Sequence, residues 1–124
     1  MRLFLDIIPV LFQPLISKFV FYINPKEKMS KFNELIKGEI PVIVNFYAEW
    51  APTCDDVAER LREFKAEMGE DLKMIKIDFD KNEGIARKLN VVGIPTAILF
   101  KEGKVLLKQS GEVKIDDFKE KLNG

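Results

Sequence analysis

Apolar runs and turn residues alternate along most of the chain and predict a series of strands. Residues 42–47 and 72–79 are largely apolar, as is typical of strands buried within a sheet. Residues 96–100 form a third run, which is followed by a turn at Gly103 and by a further strand at residues 104–107. The last two strands are therefore predicted to pair as a hairpin.

Between and after these strands, apolar residues recur at the spacing of amphipathic helices. We expect Ser30 to cap the first helix and Thr53, with Asp56 three residues later, to cap the second. Residues 83–89 form the third helix, and a closing helix carries Phe118. This order predicts an α/β fold in which a central mixed β-sheet is flanked by helices on both faces.

Residues 1–28 form an apolar extension before the domain predicted at residues 29–124. Charged residues, together with Pro9 and Pro14, fit poorly with a membrane span, so a weak membrane anchor is only one of three interpretations. Residues 19–23 are aromatic and β-branched and could form an additional strand. Alternatively, Met29 is the true start of the protein. Overall, we expect no membrane partner.

Composition and charge narrow the function classes. Lys and Arg total 20 and Asp and Glu total 20, so no net field attracts the protein to nucleic acid, and we expect no nucleic-acid partner. The chain has no His and one Cys, which leaves few ligands for a metal, so we expect neither a metal nor a cofactor. One Cys forms no internal disulfide, and the default location is the cytoplasm, with membrane anchoring or export through residues 1–28 as the alternative.

Three motifs, taken in order, resemble the thioredoxin family over residues 29–124. Residues 46–50 (FYAEW) resemble the strand end before the family's active-site turn, and residues 77–80 (IDFD) resemble a second strand end. Residues 91–96 (VVGIPT) are similar to the family's segment with a cis proline, here Pro95. The resemblance implies a thioredoxin fold and a role in thiol–disulfide redox homeostasis.

The active-site motif departs from the family. Where the family has Cys-Gly-Pro-Cys, this chain has Ala51-Pro52-Thr53-Cys54, so Ala51 stands at the nucleophile's position and Cys54 at that of the resolving thiol. Asn45 stands at the position of the family's buried acid, and an amide cannot titrate. A dithiol reductase needs an attacking thiolate and a second thiol that releases the mixed disulfide. We therefore expect dithiol reductase activity to be absent or attenuated.

The resemblance also implies a groove that binds extended segments of partner proteins or peptides. Thioredoxin reductase and glutathione are further candidate partners. The residues implied to line the groove are Trp50, Pro52, Thr53, Gly93, Ile94 and Pro95. Within the sheet, Asn45 is expected to be a hydrogen-bonded polar group, because buried amides persist when they are satisfied.

Three hypotheses for function follow. In the first, the protein is a binding module that keeps the groove without turnover. In the second, it is a monothiol enzyme that forms mixed disulfides through Cys54, although that residue is equally well explained as a small buried hydrophobe. In the third, Ala51 replaces the Cys of an otherwise active protein-disulfide reductase.

Overall fold

The computed structural model describes residues 21–22 and 29–123. Within these residues, helices and strands follow the order that the sequence predicts. The strands are β1 (Phe21–Tyr22), β2 (Val42–Tyr47), β3 (Lys73–Asp78), β4 (Thr96–Lys101) and β5 (Lys104–Ser110). The helices are α1 (Met29–Ile36), α2 (Thr53–Met68), α3 (Glu83–Lys88) and α4 (Ile115–Asn123), with a 3-10 turn at Gly69–Asp71.

The strands form one mixed sheet in the order β1-β3-β2-β4-β5. β1, β3 and β2 are parallel, whereas β4 is antiparallel to β2 and β5 is antiparallel to β4. The β4–β5 hairpin turns at Glu102 and Gly103, both of which have positive φ, as the tightest hairpin turns require. The mixed sheet predicted from the sequence is therefore confirmed.

Alternate residues of the buried strands supply two separate cores, one on each face of the sheet. On one face, Val44 and Phe46 pack with α1 and α3. On the other face, Ile43 and Leu99 pack with Leu61 of α2 and with α4. Residues 42–46 of β2 are all buried, so this strand is enclosed on both faces. The prediction of helices on both faces of the sheet is confirmed.

The two predicted helix caps are wrong. Ser30 lies inside α1, because the helix begins one residue earlier at Met29, which packs against the core. Thr53 is the first residue of α2 rather than its cap. The cap position is occupied by Pro52, whose φ of −59° and ψ of −32° are already helical. Because proline fixes φ near the helical value, the chain turns into the helix before it reaches Thr53.

Most of the apolar extension lies outside the described residues. Phe21 and Tyr22, which fall within the strand predicted at residues 19–23, form β1 and pair with Ile75 and Lys76 of β3. The anchor and alternative-start interpretations concern residues that the structure does not describe. Among the helices within residues 29–123, none combines the length and apolarity that a membrane crossing requires.

Leu61 tests the packing between α2 and the sheet. Because its side chain is fully buried, Leu61→Ala is expected to lower the free energy of unfolding by about 2–5 kcal/mol. Leu106→Ala removes the same atoms from an exposed position of β5 and should cost about 1 kcal/mol or less. Urea titration of both variants checks this, and similar losses in the two would contradict the packing described here.

Candidate functional site

The candidate site is built on the turn between β2 and α2. β2 ends at Tyr47, whose carbonyl oxygen accepts a hydrogen bond of 2.8 Å from the Phe79 amide and so ties the turn to the end of β3. The Ala51 amide donates to the Ala48 carbonyl at 3.2 Å, and the Cys54 amide donates to the Ala51 carbonyl at 3.0 Å. Two consecutive tight turns therefore lead directly into α2.

Ala51 and Cys54 both lie beneath the surface of this turn. Cys54 is 3% exposed and Ala51 is 7% exposed, and with Ala48 they form a small apolar cluster. Tyr47 and Ile94 pack against the edge of the cluster. The structure therefore places the one thiol of the chain in an apolar environment, screened from a partner in solution.

Trp50, unlike Ala51 and Cys54, lies on the surface of the turn. Its side chain is 68% exposed, although Trp is usually mostly buried. The indole Nε1 donates a hydrogen bond of 2.6 Å to Oδ2 of Asp80, so the exposed ring has a defined orientation. Asp78 in turn supports the loop of Asp80, because its Oδ1 accepts hydrogen bonds from the Asp80 and Lys81 amides at 3.0 and 3.1 Å. The turn after β3 thus holds the indole in place.

The loop before β4 forms the other side of the site. The Ile94–Pro95 peptide bond is cis. Thr96 Oγ1 donates to the Gly93 carbonyl at 2.7 Å, and the Pro95 carbonyl accepts a 2.8 Å hydrogen bond from the Gly111 amide. Gly93 and Ile94 are half-buried, whereas Pro95 is buried. Since Ile94 packs against the apolar cluster beneath the turn, the two loops meet there.

Pro52 and Thr53 are exposed at the start of α2. The two loops therefore bring together an exposed indole, the first turn of α2 and the cis-proline segment. Asn45 is separate from this surface because it lies on β2 within the sheet.

A cavity of about 400 Å³ lies beside the cis-proline loop, and its lining includes Glu83, Arg87 and Asn90 as well as apolar residues. Phe79, Ala86 and Val91 contribute apolar lining, and Val92 lies at its margin with 93% of its surface exposed. The amino-acid pattern does not single out Val92, because Val91 and Val92 form one apolar pair in the sequence. Only the fold shows that the first valine points into the core and the second into solvent.

The prediction that Asn45 is hydrogen-bonded in the sheet is wrong for its carbonyl oxygen. Asn45 is 1% exposed, and its Oδ1 has no hydrogen-bond partner among the described residues. In the sheet register Asn45 lies between Lys76 of β3 and Ala97 of β4. Ala97 offers no side-chain donor, so the sheet satisfies this oxygen poorly. An orphaned buried polar atom costs about 1–3 kcal/mol.

Lys76 is the half-buried cation on the same side of the site. Its Nζ lies 4.4 Å from the centroid of the Tyr47 ring, in the geometry of a cation–π contact. Burial lowers the pKa of Lys76, and the nearby cation of Arg62 lowers it further. The proximity of Asp55 and Cys54 acts on the pKa of Lys76 in the opposite direction. Lys76 thus couples the sheet electrostatically to the first turn of α2.

The chemistry available at this site is limited. The sequence contains one sulfhydryl, and the structure buries it. Across residues 21–22 and 29–123, no three His, Cys, Asp or Glu side chains are grouped as metal ligands. What the site presents to solvent is a fixed indole, an exposed valine and an adjoining cavity lined by both apolar and charged residues.

Substitution of Asn45 tests how much free energy of unfolding its unpartnered Oδ1 costs. Asn45→Leu replaces the amide with an apolar group of similar shape and is expected to raise the free energy of unfolding by about 1 kcal/mol. Thr96→Val is the matched control, because Thr96 is equally buried but contacts the Gly93 carbonyl and, at 2.9 Å, the Ser110 hydroxyl. It should lower the free energy of unfolding by about 1–2 kcal/mol. Equal losses in both variants, measured by urea titration, would refute this account.

The sequence model described as Thioredoxin matches residues 24–124. A chloroplastic thioredoxin Y of Oryza sativa is 39% identical over 80 residues, which are 64% of this chain and 48% of that protein. A thioredoxin of Mycobacterium tuberculosis is 42% identical over 71 residues, covering 57% and 61% of the two chains. A thioredoxin-like protein of Synechocystis is 32% identical over 87 residues, covering 69% and 83%. The match thus spans about half the length of the rice protein.

Solved structures share the fold. Thioredoxin from Trypanosoma brucei brucei superposes with a TM-score of 0.74 at 23% identity, over 86% of this chain and 90% of that one. Thioredoxin F from spinach chloroplast superposes with a TM-score of 0.72 at 23% identity, over 92% of each chain. The architecture is therefore a thioredoxin fold, as the resemblance implied. Together with the family match over residues 24–124, this shows that the chain belongs to the thioredoxin family.

Proposed function

We propose that this protein binds extended peptide segments of partner proteins and does not reduce disulfides by the dithiol cycle. The observation that carries the proposal is the contrast within one turn. Trp50 is 68% exposed and fixed by Asp80, whereas Ala51 has no sulfur and Cys54 is 3% exposed. The exposed indole of Trp50 is kept, whereas the nucleophilic thiol is absent and the remaining thiol is buried.

The expected absence of disulfide reduction follows from the residues at positions 51 and 54. In disulfide reduction, a thiolate attacks one sulfur of the substrate and a second thiol then releases the mixed disulfide. The methyl group of Ala51 cannot attack. Cys54 could act only alone, and a substrate disulfide could reach its Sγ only after the groups that cover it had moved. Because Asn45 cannot titrate, it also cannot take the proton of a reacting thiol.

The retained surface suits a peptide with an apolar anchor. Trp50 offers a large area at little entropic cost, since the bond to Asp80 already orients the ring. Val92 and the cavity beside it would accept an apolar side chain of the peptide. Extended peptides also pair with exposed backbone, which is the role that the resemblance implies for the cis-proline segment around Ile94. Thioredoxin-family proteins generally act on protein substrates, which supports this class of partner.

The monothiol hypothesis is the second candidate. It requires Cys54 to form a mixed disulfide with glutathione or a protein, and the burial of the Cys54 thiol argues against this reaction. Mass spectrometry of the folded protein after mild oxidation with glutathione disulfide distinguishes the two. An adduct on Cys54 would favour the monothiol enzyme, whereas an unmodified Cys54 supports the binding module. We place either activity in the cytoplasm, because one cysteine gives no internal disulfide that needs an oxidising compartment.

Peptide binding can be measured directly through Trp50, the only tryptophan of the chain. Unstructured octapeptides with a central Leu are expected to change its fluorescence on binding. Val92→Asp should raise the Kd about tenfold, equivalent to about 1.4 kcal/mol, because it puts a charge where the anchor packs. Val105→Asp, on the exposed face of β5, should leave the Kd unchanged.

Cys54→Ala should bind within about twofold of the wild type. No binding by the wild type, or a large loss on Cys54→Ala, would contradict the proposal.

Turnover is tested by insulin reduction with thioredoxin reductase and NADPH. The wild-type chain is expected to show no turnover above background. Ala51→Cys places a second sulfur one helical turn from Cys54 and is expected to restore measurable reduction, since the two positions are already joined by the 3.0 Å hydrogen bond between their backbones. The double variant Ala51→Cys/Cys54→Ala is the control and should not turn over. Repeated turnover by the unmodified chain would falsify the absence of dithiol chemistry.

A further inference from the structure

We propose that Lys108 is a positioning residue for peptide binding. Its ammonium group holds the loop of residues 89–94 so that Val92 and the cavity beside it receive the apolar side chain of the peptide. The inference rests on the proposed function, because it concerns the same groove. Lys108 lies on β5 and is not among the residues that line the cavity, so it acts only through the loop.

The loop begins where α3 ends. The Asn90 amide donates a hydrogen bond of 3.1 Å to the Arg87 carbonyl. The Val91 amide donates one of 2.8 Å to the Ala86 carbonyl. This pair of hydrogen bonds, with Asn90 at a φ of +57°, is a Schellman motif, which commonly ends a helix. The carbonyl oxygens of Leu89 and Asn90 are not used by the motif, so they need donors of their own.

Lys108 supplies a donor to both of these carbonyl groups. Its Nζ donates to the Leu89 oxygen at 3.1 Å and to the Asn90 oxygen at 2.6 Å. In the sheet register Lys108 lies opposite Ile98 of β4, which belongs to the core on the face that carries α1 and α3. The lysine therefore extends from the edge of the sheet towards the end of α3. Because the donor is charged, these hydrogen bonds are stronger than neutral ones.

The far end of the loop is attached to the same part of the molecule. The Pro95 carbonyl accepts a hydrogen bond of 2.8 Å from the Gly111 amide, directly after β5. A backbone hydrogen bond thus holds one end of the loop, and the Lys108 side chain holds the other. Val92 lies between the two attachments. Asn90, whose carbonyl Lys108 binds, itself lines the cavity beside Val92.

The exposure of Val92 explains why the attachment matters for binding. Because 93% of its surface is exposed, little packing holds the Val92 side chain, and its place depends on the backbone that carries it. A surface that is fixed before binding gives higher affinity, since the cost of ordering it is not subtracted from the binding free energy. Without the lysine, the first part of the loop would keep only the hydrogen bonds of the Schellman motif. The contribution of Lys108 is therefore preorganisation of the loop.

Two octapeptides that differ only in a central Leu or a central Ala measure how well the cavity receives the apolar side chain. The wild-type protein is expected to bind the Leu peptide about tenfold more tightly, because more apolar surface is buried. Lys108→Met removes the donor but keeps an apolar side chain of similar length, and it should reduce this preference to about twofold. It should bind the Ala peptide about as well as the wild type does, since Asp80 still orients Trp50. Fluorescence titration of Trp50 gives each Kd.

Two further variants separate the position of the charge from its presence. Lys108→Arg keeps a cationic donor and should restore most of the preference for Leu over Ala. Lys104→Met removes a lysine at the other end of β5, beside the hairpin turn, and should keep the full preference. Lys104 is the matched control because both lysines are exposed on one strand.

The attachment of the loop is measured without any peptide. The Val91 amide is held in the Schellman motif, and its hydrogen exchange reports local opening of the loop. Exchange at Val91 is expected to be about tenfold faster in Lys108→Met, because a charged hydrogen-bond donor is lost. It should be unchanged in Lys104→Met. An unchanged exchange rate in Lys108→Met would overturn the inference whatever the peptides do.

The outcomes keep the two proposals apart. If neither peptide binds to the wild type, the proposed function fails, and the inference falls with it. If the wild type prefers the Leu peptide and Lys108→Met keeps that preference, peptide binding stands and the role of Lys108 is wrong. Equal weakening of both peptides by Lys108→Met would also overturn the inference, because it would indicate a general loss of structure. Equal binding of the two peptides by the wild type would do the same, because the cavity would then not receive the side chain.

Discussion

The structure depends on the complete enclosure of β2. Residues 42–46 are buried, and their alternate side chains supply the cores on both faces of the sheet. β3 and β4 pair with the two edges of β2, so this strand is held by backbone hydrogen bonds at both edges as well as by packing on both faces. Because the turn that carries Trp50 begins where β2 ends, its starting point is equally fixed. Because closely packed interiors transmit displacements, a substitution that disturbs the packing of β2 would shift the turn that carries Trp50 as well as lower the free energy of unfolding.

The hydrogen bonds that position the exposed indole and the cis-proline loop do not involve the thiol of Cys54. The indole is held by Asp80, and the cis-proline loop is held by Thr96 and by the Gly111 amide. None of these hydrogen bonds involves sulfur. Ala51, at the position of the family's nucleophile, is therefore compatible with these hydrogen bonds, and it fits the buried apolar cluster that it shares with Cys54. The arrangement of the turn and the cis-proline loop thus does not depend on a sulfur atom at position 51.

The order of the elements followed from sequence because it depends on local patterns. The apolar run at residues 42–47 and the Gly103 turn each indicate a structure without knowledge of the fold. The caps were wrong because Pro52 imposes a helical φ that outweighs the side-chain preference of Thr53. The exposure of Val92 and the unpartnered oxygen of Asn45 were missed for a different reason. Each depends on residues distant in sequence, such as Ala97 beside Asn45, and local patterns do not contain that information.

The surroundings of Cys54 bear on chemistry beyond the missing sulfur. A dithiol cycle needs a group that accepts the proton of the second thiol when that thiol attacks. Asn45 cannot accept it, and its Oδ1 remains unpartnered in the sheet. Lys76 interacts electrostatically with Cys54, and burial lowers the pKa of its ammonium group. The lysine supplies positive charge near the thiol but, while protonated, it cannot act as a base. Position 45 therefore carries no titratable side chain, and position 51 carries no sulfur.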